Sequence, residues 1–178
     1  KNHVELFQWI AKCYELSLPD DLIEALDRED GEAYCFNNPT ALLEWMEENK
    51  NTLEKQETLI LLNFEGTTLP KEFLDFFPNL KELNIIACLQ LKTLPNGFLD
   101  KCSQLKKLFF SNCPELTTLP DDFLDNCSQL KKLFLYHCPQ IKTLPDGFLK
   151  NSSQLEKLDM GYCTQLTALP DHFLDNCS

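Results

Sequence analysis

Apolar residues return at fixed positions along the C-terminal two thirds of the chain. The stretch "LKKLFFSNCPELTTLPDDFLDNCSQ", which begins at Leu105, has near-copies directly before and after it. Within it Leu108 and Phe110 alternate with polar or variable neighbours, and this alternation predicts a short β-strand with one face turned toward a core. One such unit cannot bury its apolar side alone, so the pattern predicts a stack of units, a solenoid.

The repeats divide the chain into two parts. The shared pattern is Q-L-x-K-L-x-φ-x-x-C-x-x-L-x-x-L-P-x-x-F-L-x-x-C-S, where φ is apolar. A degraded unit spans 58–78 and keeps the Leu-Pro and Phe-Leu pairs, but its strand register stays open. The full units span 79–103, 104–128, 129–153 and 154–178. We therefore expect a repeat domain over residues 58–178 and a separate segment over residues 1–57.

The pattern L-x-x-L-x-L-x-x-C at this period resembles the leucine-rich repeat. The cysteine, followed by leucine or isoleucine, is similar to that of the cysteine-containing subclass. The resemblance covers residues 58–178 and implies an α/β solenoid: a right-handed horseshoe with a parallel sheet on its concave face and short helices on its convex side. Pro120, followed by two aspartates, suits the first position of such a helix.

In residues 1–57 the apolar residues have the spacing that is typical of helices. Apolar residues at helical spacing predict a first helix, at Val4, Phe7, Ile10, Ala11 and Tyr14. Pro19 could begin a second helix. A third is predicted over "ALLEWMEENKNTLEKQ", with Leu42, Trp45, Met46 and Leu53 turned inward, after a loop from Gly31 to Asn38. We interpret the segment as an α-helical N-terminal cap on the first repeat, or as a docking segment that recruits another protein.

The positions that vary between repeats indicate the function. On the strands they form columns opposite the conserved leucines, and the residue before each cysteine adds a further column. Exposed aromatic patches tend to mark interaction sites, so we predict a protein partner on the concave face. Its contacts would be Ile86, Lys107, Phe109, Ser111, Asn112, Lys132, Phe134, Tyr136, His137, Lys157, Asp159 and Tyr162. Two alternatives stay open: the two phenylalanines could form a cross-strand stack that stiffens the sheet, and the lysines could only solubilise it.

The net charge of −12 argues against a nucleic-acid partner, because phosphate binding needs a basic face. No apolar run is long enough for a membrane span. The nine cysteines fall mostly into two columns of the repeat, at 88, 113, 138 and 163 and at 102, 127 and 177, with Ser152 in the remaining place. A ladder of this kind suggests reduced structural thiols without disulfides or metal, and hence a reducing, cytoplasmic compartment.

Three classes of function remain. No catalytic constellation accompanies the three histidines, so we expect no enzyme activity and no cofactor within this fragment. The leader with Trp45 and "LILLNFEGTTLP" resembles the start of the repeats in bacterial effectors, which implies action in a host cytosol. Alternatively, "LSLPDDLIEAL" faintly resembles an F-box opening, which implies substrate capture for a ubiquitin ligase, as would a catalytic domain beyond Ser178. The third class is a scaffold. We expect a monomer whose uncapped C-terminal end could self-associate.

Overall fold

Six parallel strands lie side by side in chain order and form one sheet. The computed structural model describes residues 32–35, 39–171, 173 and 175. The strands are β1 (Glu32–Cys35), β2 (Thr58–Leu62), β3 (Glu82–Ile86), β4 (Lys107–Ser111), β5 (Lys132–Tyr136) and β6 (Lys157–Asp159). Each chain connection therefore returns to the same edge of the growing sheet, which is the topology of a solenoid.

The strand register follows the sequence repeat. Leu83, Leu108, Leu133 and Leu158 pair in succession across β3 to β6, at a constant offset of 25 residues. Strand β2 pairs with β3 at an offset of 24, with Thr58 opposite Glu82. This pairing fixes the register of the degraded unit, which the sequence left open. The prediction of a parallel leucine-rich-repeat solenoid is confirmed.

One face of the sheet lies on the hydrophobic core. Leu108 and Phe110 of β4 point into this core, together with the equivalent residues of β2, β3 and β5 and the leucines and phenylalanines of the turns. Like residues stack on like between units: the rings of Phe123 and Phe148 are 6.4 Å apart and nearly parallel, as are those of Phe73 and Phe98 at 6.3 Å. Residues that are identical in every unit suit this arrangement, because each side chain packs against the same side chain of the next unit.

The convex side is built from tight turns. A short 3₁₀ helix covers Phe73–Phe76, and the later units carry turns at the equivalent place. In the first four units the Phe N–H donates to the carbonyl of the proline three residues earlier, as from Phe123 to Pro120 at 3.0 Å. The predicted short helices are thus reduced to one turn of 3₁₀ type. Only six residues separate Pro120 from Cys127, and i→i+3 bonds suit so short a path.

Two helices precede the repeats. Helix α1 spans Pro39–Glu48 and α2 spans Lys50–Leu53. Their residues Leu42, Met46 and Leu53 are buried in the core cluster, so the predicted third helix is confirmed, with a break at Asn49. The first two predicted helices lie outside the described residues. No helix in the described ranges is long and apolar enough to cross a membrane.

The predicted loop from Gly31 to Asn38 is wrong for its central part. Residues Glu32–Cys35 form β1, which pairs in parallel with β2, Glu32 lying opposite Leu59. The strand occupies the backbone groups that would otherwise form the free edge of β2. The N-terminal part therefore extends the sheet by one strand, and it does so within the segment that the sequence assigned to a helical cap.

Candidate functional site

The face of the sheet opposite the core carries the variable columns, and we call it the second face. Its register matches the columns predicted from the sequence: Phe109 pairs with Asn84 on one side and with Phe134 on the other. The described second-face residues are Thr58, Ile60, Leu62, Glu82, Asn84, Ile86, Lys107, Phe109, Ser111, Lys132, Phe134, Tyr136, Lys157 and Asp159.

Most of the second face is buried, and the expectation of a solvent-exposed aromatic patch is wrong. Phe109 and Phe134 are each only 1% exposed. Parallel sheets are typically covered on both faces, because the connections between parallel strands pack against them. Of the residues predicted to bind a partner, six are buried: Ile86, Phe109, Ser111, Asn112, Phe134 and Tyr136.

The other six predicted residues are at least partly accessible. Lys107, Lys132, His137 and Asp159 are half-buried, whereas Lys157 and Tyr162 are exposed. Exposure thus increases toward β6, the last strand of the sheet. At that end of the sheet the structure brings His137 and Tyr162 together, with their ring centroids 6.1 Å apart.

The two central phenylalanines form the cross-strand stack that the sequence left as an alternative. The ring centroids of Phe109 and Phe134 are 4.6 Å apart, with the planes 12° from parallel. Such pairs contribute about 0.5–1.5 kcal/mol beyond their buried area. The Lys157 ammonium lies 5.3 Å from the Phe134 centroid, within cation–π range. The stack therefore ties β4, β5 and β6 together on this face.

The β3 side of the second face holds a buried polar group. The Glu82 carboxylate is 3.5 Å from the Lys107 ammonium through Oε2 and accepts a hydrogen bond from Asn84 Nδ2 at 3.3 Å through Oε1. Because Glu82 is almost fully buried, the Lys107 ammonium offsets part of the cost of burying its charge. This lysine therefore does more than solubilise the sheet.

The residue before each cysteine is a backbone turn and does not continue the strand. Asn63, Ala87, Asn112, His137 and Tyr162 all have φ between 53° and 61°, in the left-handed region. The N–H groups of the first four extend the ladder, as from Asn112 to the Tyr136 carbonyl at 3.0 Å. Two asparagines and a histidine in one column were the available signal, since these residue types are enriched there.

The exposed end of the second face is organised around Tyr162. Its ring meets Tyr136 edge to face at 5.3 Å and lies 6.1 Å from His137. A Cβ at Gly161 would come within 3.0 Å of the Tyr136 ring, so the glycine leaves room for that ring. Tyr162 itself is 60% exposed. This side chain is thus a large aromatic held in place on one side and open on the other.

The cysteine columns belong to the core. Cys113 is fully buried and its thiol donates weakly to the Ser111 carbonyl at 3.8 Å. Hydrogen bonding with Cys138 and Cys88, together with burial, raises the pKa of Cys113 well above its ordinary value. Burial raises the pKa of Cys102 and of Cys127 to about 12. Protonated thiols are poor nucleophiles and metal ligands, and the described residues contain no metal-binding cluster of His, Cys, Asp or Glu.

The register, the parallel sheet and the core ladder define a leucine-rich-repeat solenoid. No family model and no curated protein matches the sequence. Among solved structures it is similar to the leucine-rich repeat protein of T. pallidum, at 15% identity and a TM-score of 0.28 over 62% of this chain. It is also similar to the leucine-rich repeat domain of the type III effector XCV3220 (XopL), at 20% identity and 0.30 over 71% of this chain. The matches span 65% and 60% of those chains, and likenesses this distant indicate nothing about function.

Proposed function

We propose that this chain is a protein-binding module and that its partner contacts the second face at the β6 end. The observation that carries the proposal is the exposure of Tyr162 beside aromatic neighbours that are otherwise covered. Aromatic side chains that are fixed on one side and open on the other are typical interface anchors. The anchor is pre-organised by Tyr136 and His137, so little side-chain freedom is lost on binding.

The energetics favour a contact centred on this tyrosine. A tyrosine ring buries ~150–250 Å² when fully covered. At ~25 cal/mol/Å², covering the exposed part of Tyr162 yields a gross gain of about 3 kcal/mol before ordering costs. Lys132 and Lys157 pair in register across β5 and β6 on the same face. Charges of this kind set orientation and association rate more than affinity.

The test compares two exposed apolar residues. The immobilised protein is exposed to a cell lysate, bound proteins are identified by mass spectrometry, and the affinity of the strongest binder is then measured with purified material. Tyr162→Ala is expected to weaken this binding at least tenfold. Leu169→Ala is the matched control, since Leu169 is 52% exposed but lies outside the second face. Equal affinities for wild type and both variants would contradict the proposal.

The compartment is a second part of the proposal. We infer action in a reducing cytosol, that of a host cell if the protein is a bacterial effector. Free thiols at Cys88, Cys102, Cys113, Cys127 and Cys138, all buried in the core, support a reducing compartment. Production in an oxidising compartment is expected to give misfolded, disulfide-linked material, whereas production in a reducing cytosol gives soluble protein. Equal yields of native protein from both would remove this support.

The other predictions about partners stay as predictions. The F-box-like stretch lies at residues 16–26, outside the described residues, and nothing in the described part favours a ubiquitin ligase. We propose that the protein works as a monomer. The last unit keeps Leu158, Met160 and Leu166 only half-buried, so light scattering over a range of concentrations is the appropriate check. A mass that rises with concentration would instead indicate association through this end.

A further inference from the structure

The convex turn of the unit 79–103 contains the one Asn-Gly pair of the chain, Asn96 followed by Gly97. Such a pair is open to spontaneous deamidation, in which the backbone nitrogen of the glycine loses its proton and attacks the amide carbon Cγ of the asparagine. Glycine favours this attack because it has no side chain to obstruct it. Asn96 is exposed, so water has access to the pair. The residue types and the exposure together make Asn96 a candidate for this modification.

The folded turn holds the reacting nitrogen away from the asparagine side chain. The Phe98 N–H donates to the Pro95 carbonyl at 3.2 Å, and Gly97 has φ 72°. A turn closed by this bond, with a positive φ at its third residue, is of type II, and ψ at its second residue, here Asn96, is about +120°. At that angle the nitrogen that follows an L-residue points away from its side chain. Ring closure therefore needs the Gly97 peptide group to rotate, and this rotation breaks the turn.

A carboxylate of the next unit binds the same nitrogen. The Gly97 N–H donates to Asp122 Oδ2 at 3.0 Å, so the bond joins two adjacent units of the solenoid. Hydrogen bonds to an ionised acceptor are stronger than those between neutral groups. This bond opposes deamidation in two ways. It stabilises the proton on the nitrogen that must lose it, and it resists the rotation of the Gly97 peptide group.

The turn requires a glycine at position 97. Its φ of 72° lies in the left-handed region, which is unfavourable for a residue with a Cβ. A Cβ added to Gly97 would also lie only 2.7 Å from Asp100 Oδ2. The neighbouring units carry Glu72 and Asp122 at this position, and neither has a positive φ. The reactive pair is therefore part of the geometry of this one turn, and the contact with Asp122 suppresses its chemistry.

We propose that Asn96 is a site of spontaneous deamidation and that Asp122 sets the rate of the reaction in the folded chain. When the turn opens, the Gly97 nitrogen forms a bond to Cγ of Asn96. The bond from Cγ to the side-chain nitrogen breaks, and this nitrogen leaves as ammonia with the proton that Gly97 has lost. Water then opens the resulting succinimide ring. Hydrolysis of the new bond gives aspartate, and hydrolysis of the original peptide bond gives isoaspartate.

The two products are expected to affect the solenoid differently. Asp121 and Asp146 occupy the equivalent position in the following units, so aspartate at position 96 suits the fold. Isoaspartate directs the main chain through Cγ and adds one carbon atom to the backbone of the turn. The turn ends at Phe98, whose ring stacks on Phe73 of the preceding unit at 6.3 Å. The isoaspartate product is therefore expected to loosen the packing between these two units.

The rate of deamidation in the full chain tests the proposal. The purified protein is incubated at mildly alkaline pH, in buffer and in guanidinium chloride, and samples are digested at intervals. Mass spectrometry follows the peptide that contains Asn96, and chromatography separates the aspartate and isoaspartate products. Conversion is expected to be about tenfold faster or more in the denaturant, because the reaction in buffer requires local opening. Asp122→Ala is expected to accelerate conversion in buffer by roughly fivefold or more, and to leave the rate in denaturant unchanged.

Two further variants are the controls. Asp122→Asn keeps an acceptor oxygen for the Gly97 N–H and is expected to react at close to the wild-type rate. Asp121→Ala removes the exposed carboxylate next to Asp122 and is expected to behave as the wild type does. Equal rates for wild type and Asp122→Ala in buffer would overturn the proposal. So would equal wild-type rates in buffer and in denaturant, or no conversion of Asn96 in denaturant, and these two outcomes do not depend on whether Asp122→Ala folds. The experiment involves no external partner, so its failure is distinguishable from failure of the proposed function.

Discussion

The two faces of the sheet both carry almost fully buried apolar residues but differ in sequence. On the core face Leu83, Leu108 and Leu133 repeat the same residue in register. On the second face the adjacent column passes from Asn84 through Phe109 and Phe134 to Asp159. Both sets are almost fully buried as far as β5.

The difference follows from how the units stack. A residue on the core face packs against the equivalent residue of the next unit, so one residue type serves every repeat and the sequence is invariant. The second-face columns are not held to one residue type in this way. Asn84, Phe109 and Phe134 differ in type and are all at most 1% exposed, so variation along a column does not by itself indicate exposure to water.

The largest expected effect tests whether the second face is buried as deeply as the core face. Phe134→Ala removes a ring that is 1% exposed and stacked on Phe109, and large-to-small changes at such sites cost about 3–5 kcal/mol. The measurement is urea denaturation followed by circular dichroism. Tyr162→Ala is the matched control at an exposed ring and is expected to cost less than about 1 kcal/mol. A loss below about 1 kcal/mol for Phe134→Ala would mean that the second face is open.

The neighbouring residue probes the other face of the same strand. Leu133→Ala is expected to cost about 2–5 kcal/mol, because Leu133 is fully buried between like residues of adjacent units. Leu158 occupies the equivalent position in β6 and is only half-buried, so Leu158→Ala is expected to cost about half as much. Denaturation curves of the two variants give the ratio. Equal losses would show that the last unit is as well packed as the interior.

The repeat was sufficient to predict one side of the molecule. The strands, the alternation of Leu108 and Phe110 with their neighbours, the parallel register and the buried thiol columns all follow from a 25-residue period, because each depends on a unit stacking on its copy. What the period could not show is a contact outside it. The burial of Phe109 and Phe134 does not follow from their place in the repeat, so the sequence alone favoured exposure.

Two local features were missed for a different reason. Strand β1, "EAYC", has four residues and no alternation long enough to distinguish it from a loop, and its pairing with β2 is a tertiary contact. The left-handed turn at Asn112 and its equivalents ends each strand one residue before the cysteine. In the sequence the two-residue alternation continues through that position. Only the positive φ angle shows that the strand has ended and the turn has begun.

Raising the pH is expected to lower the free energy of unfolding through the buried thiols of the core. The pKa of the Cys127 thiol is raised by burial from 9.0 to about 12, so the folded state keeps the proton that the unfolded state releases. Stability from this group is complete below pH 9 and is lost as the pH rises from 9 to 12. At pH 10 the loss is on the order of 1 kcal/mol for this thiol.

The control for this effect is built into the repeat. Ser152 occupies the equivalent position in the next unit and is fully buried, so a hydroxyl fits the site and Cys127→Ser is expected to fold. Urea denaturation at pH 8 and pH 10 gives the loss of stability between the two pH values for each protein, and the loss of the variant is expected to be smaller by on the order of 1 kcal/mol. Equal losses would mean that Cys127 ionises freely in the folded protein.

The smallest expected effect tests the left-handed backbone conformation at the residue that follows each strand. Asn112 has φ 55° and is buried, and its amide Nδ2 has no hydrogen-bond partner within the part of the chain that the structure describes. Asn112→Gly and Asn112→Ala both remove that amide, but only alanine places a Cβ in the left-handed region. The glycine variant is therefore expected to be the more stable by about 1 kcal/mol. Thermal denaturation of the two variants measures this difference directly. An alanine variant as stable as the glycine variant would show that position 112 does not require the left-handed conformation.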